Sequence, residues 1–366
     1  VSDTPPGEPT HPEDDVIPIS AGPGESHGAE AEGIDHSQRI DPEVTPRRVS
    51  ELIAQIRETA DKLELDHTSR GDLKILSRTL RELRYAFKVF APYRSSRKVT
   101  IFGSARSLSD SPAYRQTVRF AQAMVAHDWL VVTGGASGIM EAGHVGAGRE
   151  HSMGLNILLP FEQSANPIIA GDPKLVHMKY FFTRKLMFVK ESDAICLLPG
   201  GFGTLDEGLE VLTLLQTGKR DMVPVVFLDQ PGGDYWQHFQ QFVHGQLRAR
   251  GMISDEDLAL FKLTDRVDEA VVEILGFFRV YHSMRFVHNR LVLRLLQPPG
   301  AALLDRLQRD FRDILAHGPF SVGGPLPEER DEPALTDLPR LIFPFNRRNY
   351  GRLRQLIDVL NADVGR

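Results

Sequence analysis

From Val49 onward the chain carries two successive rhythms of apolar and polar positions. In the first, apolar residues return every three or four places: Leu52, Ile53, Ile56 and Leu63, then Leu73, Ile75, Leu76, Leu80, Leu83, Tyr85, Ala86 and Val89. That spacing collects each set on one helical face and predicts two lead-in helices within residues 47–96, suited to packing or oligomer contacts. From residue 97 short apolar runs alternate with amphipathic stretches. Strands are expected near 99–103, 129–133, 153–159, 193–198 and 223–228, and helices near 111–127, 138–149, 181–191, 204–218, 233–249 and 266–279. This alternation predicts an α/β fold, a doubly wound parallel sheet of Rossmann-like type, over residues 97–279. Beyond it Arg290 to Leu295 alternates like a half-exposed strand, Ala301 to Ala316 reads as a helix, Leu341 to Phe343 as a strand and Tyr350 to Leu360 as a final helix. Residues 280–366 therefore read as an α+β extension.

Charge changes the picture at the amino-terminal end. The chain has a net charge of −6, yet residues 1–46 hold eleven acids against Arg39, a local net of −10 that leaves +4 on the rest. With eight prolines and few large apolar side chains, this stretch cannot bury enough surface to offset the entropy of ordering, and a disordered acidic tail is expected. The mildly basic remainder suits a phosphorylated small molecule, whereas no dense Lys/Arg block with interleaved aromatics points to nucleic acid. Cys196, the single cysteine, sits in an apolar strand pattern and reads as a buried core residue. The amino-terminal stretch shows no apolar signal region, and Ala270 to Leu296 is interrupted by Glu273, Arg279, Arg285, Arg290 and Arg294. A cytoplasmic protein with no membrane partner is the expectation.

Chemistry concentrates in Pro199-Gly200-Gly201-Phe202-Gly203-Thr204-Leu205-Asp206-Glu207, which follows the strand-like Asp193 to Leu198 and opens an amphipathic helix. Glycines let a backbone approach an anion, helix-terminal amides point at it, and two carboxylates follow within a turn. Thr204-x-x-Glu207 also fits a capping box, a purely structural use of the same residues. Three further segments stand upstream: Val99 to Arg106, with Gly103 and Ser104; Val131 to Glu141, with Gly134, Gly135, Gly138 and Met140; and Phe182-Thr183-Arg184-Lys185. The turn at Gly134 does not meet the Gly-x-Gly-x-x-Gly dinucleotide fingerprint, and Ser137 could simply cap the helix after it. Thr183 reads as the cap of a helix with Arg184 and Lys185 in its first turn, where the macrodipole disfavours cations unless an anion is near. Lys185 alone could equally be a solvated surface cation.

Together these segments resemble the Lonely Guy proteins, once mislabelled lysine decarboxylases, over roughly half the chain, residues 97 to 278. Members of that family hydrolyse the N-glycosidic bond of nucleoside 5′-monophosphates to free base and ribose 5-phosphate. The resemblance implies Glu207 as the catalytic glutamate and Arg184 as the essential arginine of the Arg-Lys pair. It places Gly200, Gly201, Phe202, Gly203, Thr204, Asp206, Lys185, Ser104, Gly134, Gly135, Gly138 and Met140 around substrate and phosphate, with Glu162 and Thr213 as further ligand positions. Two departures stand out: Asp206 occupies a place usually held by Glu, and Ala136 one usually held by Gly. No metal-ligand spacing and no pyridoxal-phosphate lysine pattern is present, and His177, alone in a short apolar strand, reads as structural. A cofactor-free, metal-free hydrolase is expected, acting on AMP or N6-modified cytokinin nucleotides as a homodimer or higher homo-oligomer. Two alternatives remain open: a general purine or pyrimidine nucleotide nucleosidase with regulatory flanking regions, and a non-catalytic carrier of nucleotide or molybdenum cofactor.

Overall fold

The computed structural model describes residues 46–159 and 165–363. The acidic tail expected over 1–46 lies, except for its last residue, outside them. Two helices lead, α1 (Pro46–Leu65) and α2 (Arg70–Phe90), the second capped by the Ser69 hydroxyl, which accepts from the Asp72 amide. Then follow β1 (Lys98–Phe102), α3 (Pro112–Val125), β2 (Leu130–Thr133), α4 (Ile139–His151), β3 (Ser152–Ile157), β4 (Leu175–Met178), α5 (Phe181–Glu191), β5 (Ala194–Leu197), α6 (Phe202–Gln216) and β6 (Val225–Leu228). The α/β part ends with α7 (Tyr235–Phe242), β7 (Lys262–Thr264) and α8 (Val267–Phe277). The remainder is β8 (Tyr281–Val287), β9 (Arg290–Leu295), α9 (Ala301–Asp310), β10 (Ser321–Gly323), β11 (Arg340–Phe343) and α10 (Tyr350–Ala362).

The first seven strands form a parallel sheet in the order β4-β3-β2-β1-β5-β6-β7. The chain winds outward from β1 to β4, then returns to place β5 beside β1 with Ile101 opposite Cys196 and Phe102 opposite Leu197. Strand order reverses between β1 and β5, where the loops beyond the strand ends diverge and leave a crevice. Alternation along each strand sorts the core onto two faces. Val99, Ile101, Ala194 and Cys196 pack against Phe120 and Met124 of α3 and Ile274 of α8, whereas Phe102, Ile195 and Leu197 pack toward Met187, Phe188 and Leu215. The latter cluster runs on through Leu291, Leu293, Leu341 and Phe343 to Leu353 and Leu356 of α10, so one hydrophobic body spans both sheets. Cys196 is fully buried, as its strand position implied.

The second sheet is antiparallel, in the order β10-β11-β9-β8. Of its strands, β8 and β10 were not expected. A register irregularity between Tyr281 and Ser283 breaks the two-residue alternation of β8, and β10 is exposed at all three positions. Two helices are shorter than their patterns: the run expected to Ala316 ends at Asp310 in a short 3-10 turn, and the one expected to 249 is regular only to Phe242 before it widens. Among the described residues no helix is long and apolar enough to cross a membrane.

Candidate active site

The glycine-rich loops following β1, β2 and β5 meet at the reversal point. The Ser104 amide donates to Pro199 O at 3.1 Å, and Ser104 O accepts from the Ile139 amide at 3.0 Å, so one residue ties all three loops together. Close approach demands glycine twice. A Cβ on Gly138, which has φ +66°, would fall 2.3 Å from Ser104 O, and one on Gly200 would fall 2.2 Å from Thr204 Oγ1. Tyr235 of α7 fixes the third loop from behind by donating its hydroxyl to Gly200 O at 2.6 Å. This positioning contact had no signal in the sequence, since α7 is remote from the motif.

Helix α6 starts earlier than its pattern suggested, and this overturns the capping-box reading of Thr204 and Glu207. Its cap is Gly201, with no side-chain cap bond, so Thr204 lies in the first turn and Glu207 most of a turn further on. The Thr204 and Leu205 amides reach Gly201 O at 3.0 and 3.2 Å, while those of Phe202 and Gly203 have no acceptor among the described residues. Two open amides at a helix N-terminus are an anion-binding arrangement. The Phe202 side chain, 93% exposed, stands clear of the loop.

Two other caps also differ from expectation. Helix α5 begins at Phe181 after an extended Tyr180, so Thr183 is not its cap. Its hydroxyl is turned instead toward Tyr180 O at 2.9 Å and Glu82 at 2.8 Å. Helix α4 is capped by Gly138, and the Ser137 hydroxyl donates to Ala105 O in the loop after β1.

Arg184 and Glu207 face each other across the crevice from α5 and α6. Arg184 Nη2 lies 3.7 Å and Lys185 Nζ 3.8 Å from the Glu207 carboxylate, near enough for attraction and too far for a hydrogen bond. The Glu207 side chain is 5% exposed and accepts no hydrogen bond from the described residues. Burial, aided by the charges of Glu210 and Asp206, pushes its carboxyl up to about 7 against the opposing pull of Lys185 and Arg184. Arg184 is equally incomplete. Its guanidinium sits over the Phe181 and Phe188 rings, and its buried Nε has no partner among the described residues. Burial lowers its proton affinity despite Glu207 and Asp206 nearby. Lys185, by contrast, is no free surface cation: it reaches Glu210 at 2.7 Å and Asp206 at 2.9 Å.

The remaining expected positions divide. A methyl group on Gly134 would lie 2.7 Å from Met140 Sδ and 3.8 Å from Arg184 Nη1, so those three residues border one space. Behind them the Gly135 amide donates to Thr133 Oγ1 at 3.0 Å. Thr213 is exposed further along α6 and donates its hydroxyl to Leu209 O, and no contact joins it to Arg184 or Glu207 among the described residues. Glu162 lies outside the described residues. His177 is an exposed position of β4.

A doubly wound parallel sheet, with open helix-terminal amides and a buried Arg184–Glu207 pair held short of hydrogen-bond distance at its reversal point, defines a Rossmann-like fold with a charged cleft. Residues 136–274 match the family model described as possible lysine decarboxylase. The Arabidopsis thaliana protein named probable cytokinin riboside 5'-monophosphate phosphoribohydrolase LOG6 is 40% identical over 107 residues, covering 28% of this chain and 51% of that protein. The Oryza sativa subsp. japonica protein named cytokinin riboside 5'-monophosphate phosphoribohydrolase LOG is 35% identical over 156 residues, 42% of this chain and 61% of its own. The chain thus spans about half the length of the curated relatives it matches. A solved molybdenum cofactor binding protein from Rippkaea orientalis is 17% identical, with a TM-score of 0.35 over 48% of this chain and 93% of its own.

Proposed function

We propose that the protein hydrolyses the N-glycosidic bond of nucleoside 5′-monophosphates, AMP or N6-modified adenine nucleotides, releasing free base and ribose 5-phosphate. The observation that carries this reading is Glu207, a buried carboxylate without a hydrogen bond among the described residues, set beside the open amides of α6 and facing an incomplete arginine. The 5′-phosphate binds the loop from Gly200 to Thr204, which leaves the ribose over Glu207. As the C1′–N bond breaks, its electron pair leaves with the base and positive charge builds on the sugar, where a fixed anion lowers the barrier. Water adds to C1′ and gives up one proton, which Glu207 is suited to accept at neutral pH and which then passes through solvent to the departing base, so that the base leaves neutral and Glu207 returns to its ionised form. Arg184 holds the ribose or phosphate in register. The names of the curated relatives support the substrate class.

A second copy of the chain belongs to this reading, completing the cleft. Its support is the exposed apolar surface beside the site at Phe181, Phe182, Leu186 and Phe202, and along α1 at Leu52, Ile53 and Ile56. Light scattering at assay concentration should report at least a dimer, and an active monomer would remove this element.

The activity is tested by incubating the pure protein with a panel of nucleoside monophosphates and following base release by chromatography. AMP should exceed adenosine by about a hundredfold in kcat/KM, because binding energy at the remote phosphate orients the reacting centre. Comparable values for the two would defeat the phosphate-loop reading, and no base release from any monophosphate would defeat the activity.

A further inference from the structure

Arg184 lies in the first turn of α5, where the helix dipole opposes a cation, and the helix has no side-chain cap of its own at Tyr180. The anchor for this helix entry comes from a different part of the chain. Glu82 of α2 is buried, and its Oε1 accepts from the Lys179 amide at 2.8 Å while Oε2 accepts from the Thr183 hydroxyl at 2.8 Å. Arg78, one turn back on α2, donates to Oε1 at 2.8 Å and holds the carboxylate from the outer side. Burial works against its charge, but these three hydrogen bonds outweigh it and hold the carboxyl below its ordinary value. The grip falls on both sides of Tyr180, whose carbonyl accepts from the Arg184 amide at 3.3 Å and lies 2.9 Å from the Thr183 hydroxyl oxygen. Helix α2 lies outside the segment that matches the family model, residues 136–274.

We propose that Glu82 is a positioning residue for Arg184: its hydrogen bonds to the Lys179 amide and the Thr183 hydroxyl anchor the entry of α5 and so hold Arg184 facing Glu207. Helix α2 is on this view part of the apparatus that places Arg184. The inference rests on the hydrolase reading above.

The test is a double-mutant cycle in the full-length protein, with AMP hydrolysis and AMP binding by calorimetry as readouts. Glu82→Ala should lower kcat/KM about tenfold or more in the wild-type background but less than about twofold when Arg184→Ala is already present, because both act through one group. Glu82→Gln should recover much of the loss, since its oxygen can still accept from Lys179 while its amide donates to the Thr183 hydroxyl. Thr183→Val, which removes one arm of the grip, serves as the second probe if Glu82→Ala does not fold, and should show the same dependence on Arg184. Equal losses in both backgrounds would make Glu82 a general stabiliser and overturn the proposal. A wild-type protein that releases no base from any nucleoside monophosphate would overturn the hydrolase reading beneath it, a different result from an active wild type with independent losses.

Discussion

Two buried charge clusters in this molecule are built on opposite rules. In the carboxy-terminal sheet, Glu329 has no exposed side-chain surface and accepts from Arg294 Nε at 2.8 Å, Arg340 Nε at 3.3 Å and the Leu326 amide at 2.9 Å. Glu332 beside it pairs with Arg294 and with Arg285. Burial pushes the Glu329 carboxyl up, but the Leu326 amide and Arg294 outweigh it and bring it below its usual range. At the cleft the same ingredients stop short of contact. Glu207 stays 3.7 and 3.8 Å from its cations and rises to about 7, and Arg184 keeps an Nε without a partner among the described residues. A closed network stabilises one conformation, whereas an open one keeps its charges available to something that is not protein.

Breaking the closed network should have the largest effect. Glu329→Ala removes the carboxylate that two buried arginines share, leaving Arg294 with Glu332 and Arg340 with the Leu335 and Leu338 carbonyls, and should cost about 3–5 kcal/mol in urea unfolding, with turnover per folded molecule unchanged. A loss of turnover without loss of stability would reverse the roles given to the two clusters. Glu207→Gln should do the opposite, lowering turnover about a hundredfold or more, roughly 2.7 kcal/mol of barrier, while AMP binding persists. Because Gly201 caps α6, no capping role is left to explain such a loss, and near-wild-type base release would end the catalytic assignment.

Acidity sharpens the contrast at smaller scale. The Glu207 carboxyl titrates near 4.5 when unfolded and about 7 when folded, so its ionised form opposes folding fully above pH 7 and not at all below 4.5. Glu207→Gln should therefore be more stable than wild type at about pH 8, by on the order of 1–3 kcal/mol, with the gain fading as pH falls toward the unfolded value. A thermal-melting series across pH checks this, and a gain that grows in acid would contradict the burial argument. Lys185→Met should matter least. Its partner Asp206 is largely exposed, so a stability change within about 1 kcal/mol and a few-fold change in turnover are expected, measured in the same assays.

How much of this was legible beforehand follows the distance between partners. The parallel sheet and its glycine loops announce themselves through local alternation and spacing, and the three loops do meet where strand order reverses. The caps were misplaced because Thr204, Thr183 and Ser137 carry hydroxyls that look like caps but are engaged elsewhere or lie inside the turn. Glycines at 201 and 203, poor helix formers, also hid the true start of α6. Glu82 and Tyr235 left no trace in local pattern. Their partners are 97, 101 and 35 residues away, and an exposed-looking Glu on a charged helix says nothing about what folds onto it.

The hydrophobic body that joins both sheets gives the extension a role independent of any ligand. Phe102 and Leu197 flank the cleft loops, and the cluster they belong to continues without a seam to Leu353 and Leu356 in the last helix. Where resemblance to relatives stops, folding cooperativity does not. Cutting the chain after α8 would expose an oily flank of the parallel-sheet core to water, so such a fragment should aggregate instead of surviving as a folded unit. In this protein the unit of inheritance is smaller than the unit of folding.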